Sequence, residues 1–540
     1  MSAFAGTGSL VRLILRRDRM LMPVWILFMA LLPAGLAAGT APLYPTDEAR
    51  QGYIDALSSS ALLTMFYGRT PEPSLGALIF WRSATGIVIM ALIGLLTVIR
   101  HTRVEEEAGR RELLGSAVVG RSANLVAALL ATAGACVVTG VLIALAMMSQ
   151  GTPAAGSFAM GLAWAAAGIV FGAVGAVAAQ LSTGAGAARG IGIAVLGAAF
   201  VVRAAGDAAG DSAGPQGSGL SWLSWVPPLG WVYQVRAYEE NRWWVLLMIL
   251  ALTVALAGAA LALSARRDIG AGLLEPRLGP AEAAPGLRTP LALAWRLHRG
   301  SLLAWTAGFA VFGLLVGAIA QTTTDLLSSN EELTDVMRRM GGGSVVSDIF
   351  IVGTFGIAAI LVSAYAISAA LRMRAEESSL RSEPLLATGI SRFRWAASHL
   401  VFALLGPTVA MAVAGVVAGI AHGLNTGDVG RELPRVLAGA LVPLPAIWLL
   451  AGLTVAAFGL APRLAPAVGW VALSACLLLG QVGALLQLSQ ALLDLSPFTH
   501  IPRVPGGPVA VTPLLVLTAL AAGLVAAGLA AFRRRDVPVT

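Results

Sequence analysis

Apolar residues in this chain arrive in long blocks, and charge is largely confined to the gaps between them. Twelve blocks are long enough to cross a hydrocarbon layer of about 30 Å as helices, which takes roughly 20 residues. The first six lie at about 20–42, 77–100, 122–148, 157–181, 186–204 and 243–264. The second six lie at about 300–321, 348–371, 394–421, 436–460, 465–486 and 511–532. The pattern predicts an all-α polytopic membrane protein with 12 transmembrane helices.

The gaps contain a repeat. "RVEEEAGRRELLGSAVVGR" at 103–121 aligns without a gap on "RAEESSLRSEPLLATGISR" at 374–392, at an offset of 271. Seven of the nineteen pairs are identical, where background composition gives only one or two, so this is an internal duplication. The offset is about half of the 540 residues, and each copy falls between the second and third span of its half. The chain therefore reads as two tandem six-helix halves, 1–274 and 291–540, joined by a Pro/Gly/Ala linker at 275–290. Each half opens with a basic amphipathic segment, 10–20 and 291–300, expected to lie along the membrane surface.

Composition sharpens this picture. Hydrophobic residues make up 57%, charged residues 12%, and mean hydropathy is +0.81, far from the roughly 25% charge of soluble domains. All 36 basic residues are arginine, so the chain has no lysine for a phosphate-binding P-loop or a Schiff base. It cannot be a P-loop ATPase by itself. With both termini inside, 25 arginines fall in cytoplasmic segments and 11 outside. That bias predicts cytoplasmic termini and makes the +8 charge a matter of membrane topology rather than of nucleic-acid binding. Cys136 and Cys476 fall inside spans and are expected to be small buried residues. The five histidines show no metal-ligand spacing. "LAAGTA" resembles a signal-peptide cleavage site, but the expectation is a retained first helix.

Within the first charged stretch, Glu105 and Glu112 are two helical turns apart and would share a face. Arg103, Glu106, Arg110 and Leu114 would form a neighbouring stripe, kept in the second copy as Arg374, Glu377, Arg381 and Leu385. Such a helix suits docking in a groove of a cytoplasmic partner. A solvated loop held inside by arginine would need only positive charge and leaves the repeated glutamates unexplained. Near the outer end of the second span, Phe80 and Trp81 precede Arg82, the nearest approach to an intramembrane charge, which could meet a substrate or snorkel to the interface. His422, Asp428 and Glu432 share "AHGLNTGDVGRELP", read as an ordinary external loop. Trp222, Trp225, Trp231, Trp243 and Trp244 read as interfacial anchors.

"EEEAGRRELLGSAVVGR" resembles the E-E-x-G-x-x-E-L-L…(S/G)-R signature that follows the second span in ABC-2-type permeases. "EESSLRSEPLLATGISR", "LSPFTHIPRVPGG" and "FRRRD" are similar to features of the same family. The best match is the duplicated, twelve-span actinobacterial group of polyketide-antibiotic (tetronasin-type) exporters. The resemblance implies type V exporter-like halves in a bacterial plasma membrane that recruit two copies of a cytoplasmic ABC ATPase. ATP and Mg would be bound by that partner, with no cofactor and no enzymatic activity in this chain. Coupling helices at about 103–115 and 374–386 would seat in the ATPases. Glu105, Glu106, Arg110, Glu112 and Arg121 would form the first contact, and Glu376, Glu377, Arg381, Glu383 and Arg392 the second. A hydrophobic or amphipathic small molecule, such as an antibiotic or other drug, would pass between the halves by alternating access. Leu380 replaces the signature glycine and Pro384 follows Glu383, so the second helix is expected to be less regular and the two contacts unequal. The rival is a twelve-span secondary, ion-coupled drug transporter. It would need an ionisable group within the membrane, and none of the 28 acidic residues falls near the centre of an expected span.

Overall fold

A computed structural model describes residues 2–58, 67–115, 119–211, 221–268, 270–274, 282, 284–328, 344–482, 489–507 and 510–536. Among them every regular element is helical, and 11 helices are long and apolar enough to cross a membrane. The protein is thus an α-helical polytopic membrane protein. At the one expected crossing not among these 11, 465–486, the chain forms the helix Ala465–Val482, and 483–488 lie outside the described residues. Half of the expected linker, 275–281 and 283, also lies outside them.

The chain divides into two compact units, Met1–Leu278 and Gly279–Thr540. Unit 1 contains α1 (Thr7–Arg17), α2 (Leu21–Thr40), α3 (Asp47–Ser58), α4 (Leu75–Arg82), α5 (Ala84–Glu107) and α6 (Arg110–Gly115). It continues with α7 (Ala123–Met148), α8 (Ala154–Leu181), α9 (Ala185–Asp211), α10 (Pro228–Gln234) and α11 (Trp243–Ala265). Unit 2 contains α12 (Pro290–Ser328), α13 (Ser344–Ser378), α14 (Ser382–Ala387), α15 (Arg392–Thr426) and α16 (Val429–Leu441). Its last three long helices are α17 (Leu444–Leu460), α18 (Ala465–Val482) and α19 (Val511–Arg534), with a four-residue helical turn, Gln490–Leu493, before the last.

The fourth span organises each unit. In unit 1, α8 touches α5, α7, α9 and α11; in unit 2, α17 touches α13, α15, α18 and α19. Of the apolar stretch of α8, 72% is buried inside the protein, against 17% for α11 and for α19, which lie at the margins of their units. Lipid tails are as apolar as leucine, so close packing rather than hydrophobic exclusion joins such helices. Small residues permit it. A Cβ added to Gly94 of α5 would lie 2.0 Å from the Gly168 carbonyl oxygen of α8, and one on Gly140 of α7 would lie 2.4 Å from that of Gly161. Trp164 and Phe171 of α8 fill the space beside these contacts and are fully buried. Cys136 and Cys476 are both buried free thiols.

The two amphipathic openings differ. In unit 1, α1 is a separate helix that lays Leu10 and Ile14 on Ala123, Ala127, Ala128 and Ala131 of α7. In unit 2 the segment 291–300 is instead the first turns of the 39-residue α12. The fourth span is also split in unit 2, where Pro443 interrupts the hydrogen-bond ladder between α16 and α17. The stretch read as an external loop around His422 to Glu432 is almost wholly helical. His422 lies in α15 and Glu432 in α16, and Asp428 caps α16 by accepting from the Arg431 N–H at 3.0 Å.

Gly140→Val should lower the melting temperature of the detergent-solubilised protein, because overpacking costs about 1–3 kcal/mol and backbone cannot yield. Gly134→Val, on the same helix but facing open space, should not lower it. Equal losses from the two would refute close α7–α8 contact.

Candidate functional site: a buried charge clamp

Both repeated charged stretches begin inside a spanning helix. In unit 1, α5 runs on through a π-helical turn, Arg100–Val104, and ends at Glu107. Gly109, at φ +69°, then turns the chain into α6. In unit 2, α13 ends at Ser378, Leu380 makes the turn at φ +58°, and α14 follows. The Gly109 N–H donates to the Glu106 carbonyl and the Leu380 N–H to the Glu377 carbonyl, both at 3.0 Å. A left-handed leucine is strained where glycine is not. Leu380 thus keeps the turn of the first copy despite changing its residue. The expected continuous helices at 103–115 and 374–386 are each a helix end, a tight turn and a separate short helix. The shared face drawn from Glu105 to Glu112 does not survive that break. Pro384 sits in the first turn of α14, where its missing N–H breaks no helical bond.

The glutamates point inward. Glu106 is buried, with Arg267 donating to it at 2.7 and 2.9 Å, Arg103 at 3.0 Å and the Gly270 N–H at 2.7 Å; Arg111 lies 3.4 Å away. Those arginines are held in turn by carbonyls. Arg103 donates to Thr183, Gly270 and Ala271, and Arg267 donates to the Gln180 side chain at 2.8 Å. One cluster thereby joins the end of α5, the α8–α9 connection and the segment leaving α11. Arg121 closes it by donating to the carbonyls of Ser264 and Arg267 at 3.3 and 2.9 Å. Carbonyls at a helix C-terminus carry partial negative charge and have no partner within the helix, which is why arginine binds there.

Unit 2 repeats the arrangement. Arg535 grips the buried Glu377 with two bonds of 2.6 and 2.7 Å, and its guanidinium lies over the rings of Phe458 and Phe532. Arg392 donates to the carbonyls of Phe532, Arg533 and Arg535 at the end of α19. The adjacent glutamates also match: Glu105 pairs with Arg110 at 3.1 Å and with Arg17 of α1, while Glu376 pairs with Arg372 at 3.0 Å and Arg381 at 3.9 Å. Unit 1 adds a further tie, because Asp18, between α1 and α2, binds Arg100 at 2.8 Å and His101 at 2.7 Å. Arg374, the counterpart of Arg103, makes no ion pair among the described residues.

The structure therefore brings Glu105, Glu106, Arg110 and Arg121 together in unit 1, and Glu376, Glu377, Arg381 and Arg392 in unit 2, as internal bonds. Both exposed, Glu112 and Glu383 alone of the ten make no hydrogen bond or ion pair through their side chains among the described residues. The side chain of Leu114 lies outside the described residues. At the other end of unit 1, buried Phe80 and Trp81 line a cavity of about 400 Å³ with Tyr67, Asp207, Arg236 and Glu239. Burial pushes the Glu239 carboxyl above its usual range. Arg82 instead donates to Thr40 Oγ1 at 2.7 Å and lies over the Tyr53 ring. The more deeply placed charge is Arg203 of α9, fully buried against the rings of Phe200 and Tyr233 and 3.5 Å from Asp207. In unit 2, Asp348 and Glu432 are likewise buried and share Arg435, at 2.8 and 2.9 Å. Ionisable groups thus enter the helices at the ends opposite the clamps: Asp207, Glu432 and Arg435 had been left outside the expected spans, and Arg203 and Asp348 fall at the very ends of theirs.

Residues 287–533 match the family described as the C-terminal domain of the multidrug efflux system permease Rv1217c. Over 537 residues the chain is 46% identical to the multidrug efflux system permease protein Rv1217c of Mycobacterium tuberculosis, covering 99% of this chain and 96% of that protein. The chain belongs to this permease family.

The clamp residues of the permease that sequence reasoning missed are Arg267 and Arg535. A signal was present: "RRD" at 266–268 and again at 534–536, each just after the sixth span of its half. Asp18 and His101 had no identical counterpart at the offset of 271 to mark them.

Glu106→Gln should destabilise the detergent-solubilised permease by about 3–5 kcal/mol, because it strands buried arginines without their anion. Glu112→Gln should leave the melting temperature unchanged. Leu380→Gly should raise stability by about 1 kcal/mol by removing the left-handed strain. A loss on Leu380→Gly would show that this side chain matters more than its backbone.

Proposed function

We propose that this chain is the transmembrane subunit of an ATP-driven exporter of the ABC-2 type, with both halves in one polypeptide. Its cargo would be hydrophobic or amphipathic small molecules, in keeping with the multidrug efflux named for its relative. The observation that carries this reading is the same in both units. A buried clamp fixes the end of the second span, a left-handed turn follows, and a short helix then presents an exposed glutamate, Glu112 or Glu383, in its first turn.

Because the clamp joins the second span to the end of the sixth, a push on the short helix reaches both spans together. That is what a lever needs, and what a loosely tethered loop could not do. A separate cytoplasmic ATPase, in two copies, would supply the push by binding ATP and Mg, since a chain without lysine has no P-loop of its own. Substrate would leave past the Phe80–Trp81 cavity, which is of a size to hold a small molecule. Both termini and both clamps would then lie in the cytoplasm, in accord with the arginine bias.

Glu112→Arg together with Glu383→Arg should leave the chain folded and membrane-inserted. It should cut substrate-stimulated ATP hydrolysis by roughly tenfold or more, the scale of about 1.4 kcal/mol lost at an interface. The single changes should be unequal if the two short helices dock differently. Gentle detergent extraction should bring down two ATPase subunits with each 55.2 kDa chain. Undiminished transport by the double variant, or a reproducibly lone chain driven by an ion gradient, would overturn this reading in favour of a secondary transporter.

A further inference from the structure

Unit 2 carries an apolar trough of about 510 Å³ that export as described above does not use. One wall is α19 from Thr518 to Arg533, and the others come from Phe393 and Leu404 of α15 and Trp448 of α17. The fifteen residues between Thr518 and Arg533 rise about 22 Å along the helix. One leaflet of hydrocarbon is about 15 Å deep. The trough is thus as long as a lipid tail with room for its headgroup.

Its polar atoms are already satisfied along that length. The Trp448 Nε1–H donates to the Leu404 carbonyl at 3.0 Å, and the Thr518 hydroxyl donates to the Leu514 carbonyl at 2.7 Å. Only hydrocarbon fits such a lining. At the mouth the chemistry changes abruptly. Arg533, the one charged residue of the lining, is exposed and makes no ion pair among the described residues. Its neighbours are spent elsewhere, Arg535 on Glu377 and Arg392 on helix-end carbonyls. Exposed Arg394 and Arg534 add positive charge, and Asp536 is the single carboxylate in the segments 392–394 and 533–536.

We propose that this trough binds an anionic phospholipid, with an acyl chain along α19 and its phosphate on Arg533. The inference depends on α19 crossing the membrane and not on the ATPase reading. Trp448 makes it measurable, because brominated acyl chains quench tryptophan on contact. The full chain is reconstituted in vesicles containing phosphatidylglycerol or phosphatidylcholine with brominated tails. The Trp448 signal is the difference between wild type and Trp448→Phe. Brominated phosphatidylglycerol should quench it at about fivefold lower mole fraction than brominated phosphatidylcholine, the preference one arginine at the membrane surface confers. Arg533→Gln, an exposed position, should abolish that preference while leaving quenching by phosphatidylcholine intact. No quenching of Trp448 by either lipid would mean that protein covers the trough. Equal quenching in wild type, or a preference that survives Arg533→Gln, would remove the headgroup site. Each of these results overturns the proposal.

Discussion

A carboxylate withdrawn from water at the end of a membrane helix must take its cation with it. Burying one without the other costs several kcal/mol, roughly half of what keeps a typical protein folded. Glu106 and Glu377 impose that constraint on the two units. Each can be buried only if an arginine arrives from the far end of the sixth span, Arg267 in one case and Arg535 in the other. The end of the sixth span, the turn after the second span and the short helix beyond it are positioned by this pairing. Arg121 and Arg392 then cover the helix-end carbonyls that would otherwise lack partners.

The division into two units and the helical class were legible because apolar run length is a strong signal and the duplication left seven identities at a fixed offset. The position of the site was legible as well, since charge in so apolar a chain had few other places to go. Its direction was not. Glu105 and Glu106 were placed on an outward face by extending one helix to residue 115. Gly109, read as a signature position, was not taken for the turn that separates them from Glu112. The ends of the spans opposite the clamps were obscured by a similar limit. Hydropathy assigns Glu432, Arg435 and Asp207 to loops because a charge lowers the local average, whether or not a partner neutralises it. Pairing is a tertiary property that a sliding average does not see.

The units share a plan and differ in how firmly their first helices are held. In unit 1, a break at Asp18 frees α1 to lie across α7, and Asp18 and Arg17 tie it to the end of α5. In unit 2 the corresponding segment continues straight into α12, and Glu376 turns to Arg372 within its own helix. The left-handed turn likewise comes without strain at Gly109 and with strain at Leu380. The two clamps are therefore unequal, with the first anchored at more points than the second.

The central claim is that the repeated glutamates act within the chain and hold the sixth span to the second. The most direct test is a double-mutant cycle on Glu377 and Arg535, each of which has the other as its one ion pair among the described residues. Thermal stability and co-purification with the proposed ATPase would be read on each member. The claim predicts that Glu377→Ala and Arg535→Ala are each strongly destabilising and that the double variant loses little more than either, a coupling of about 2 kcal/mol or more. Additive losses, or full stability with ATPase binding alone abolished, would place Glu377 at the partner interface and contradict the clamp.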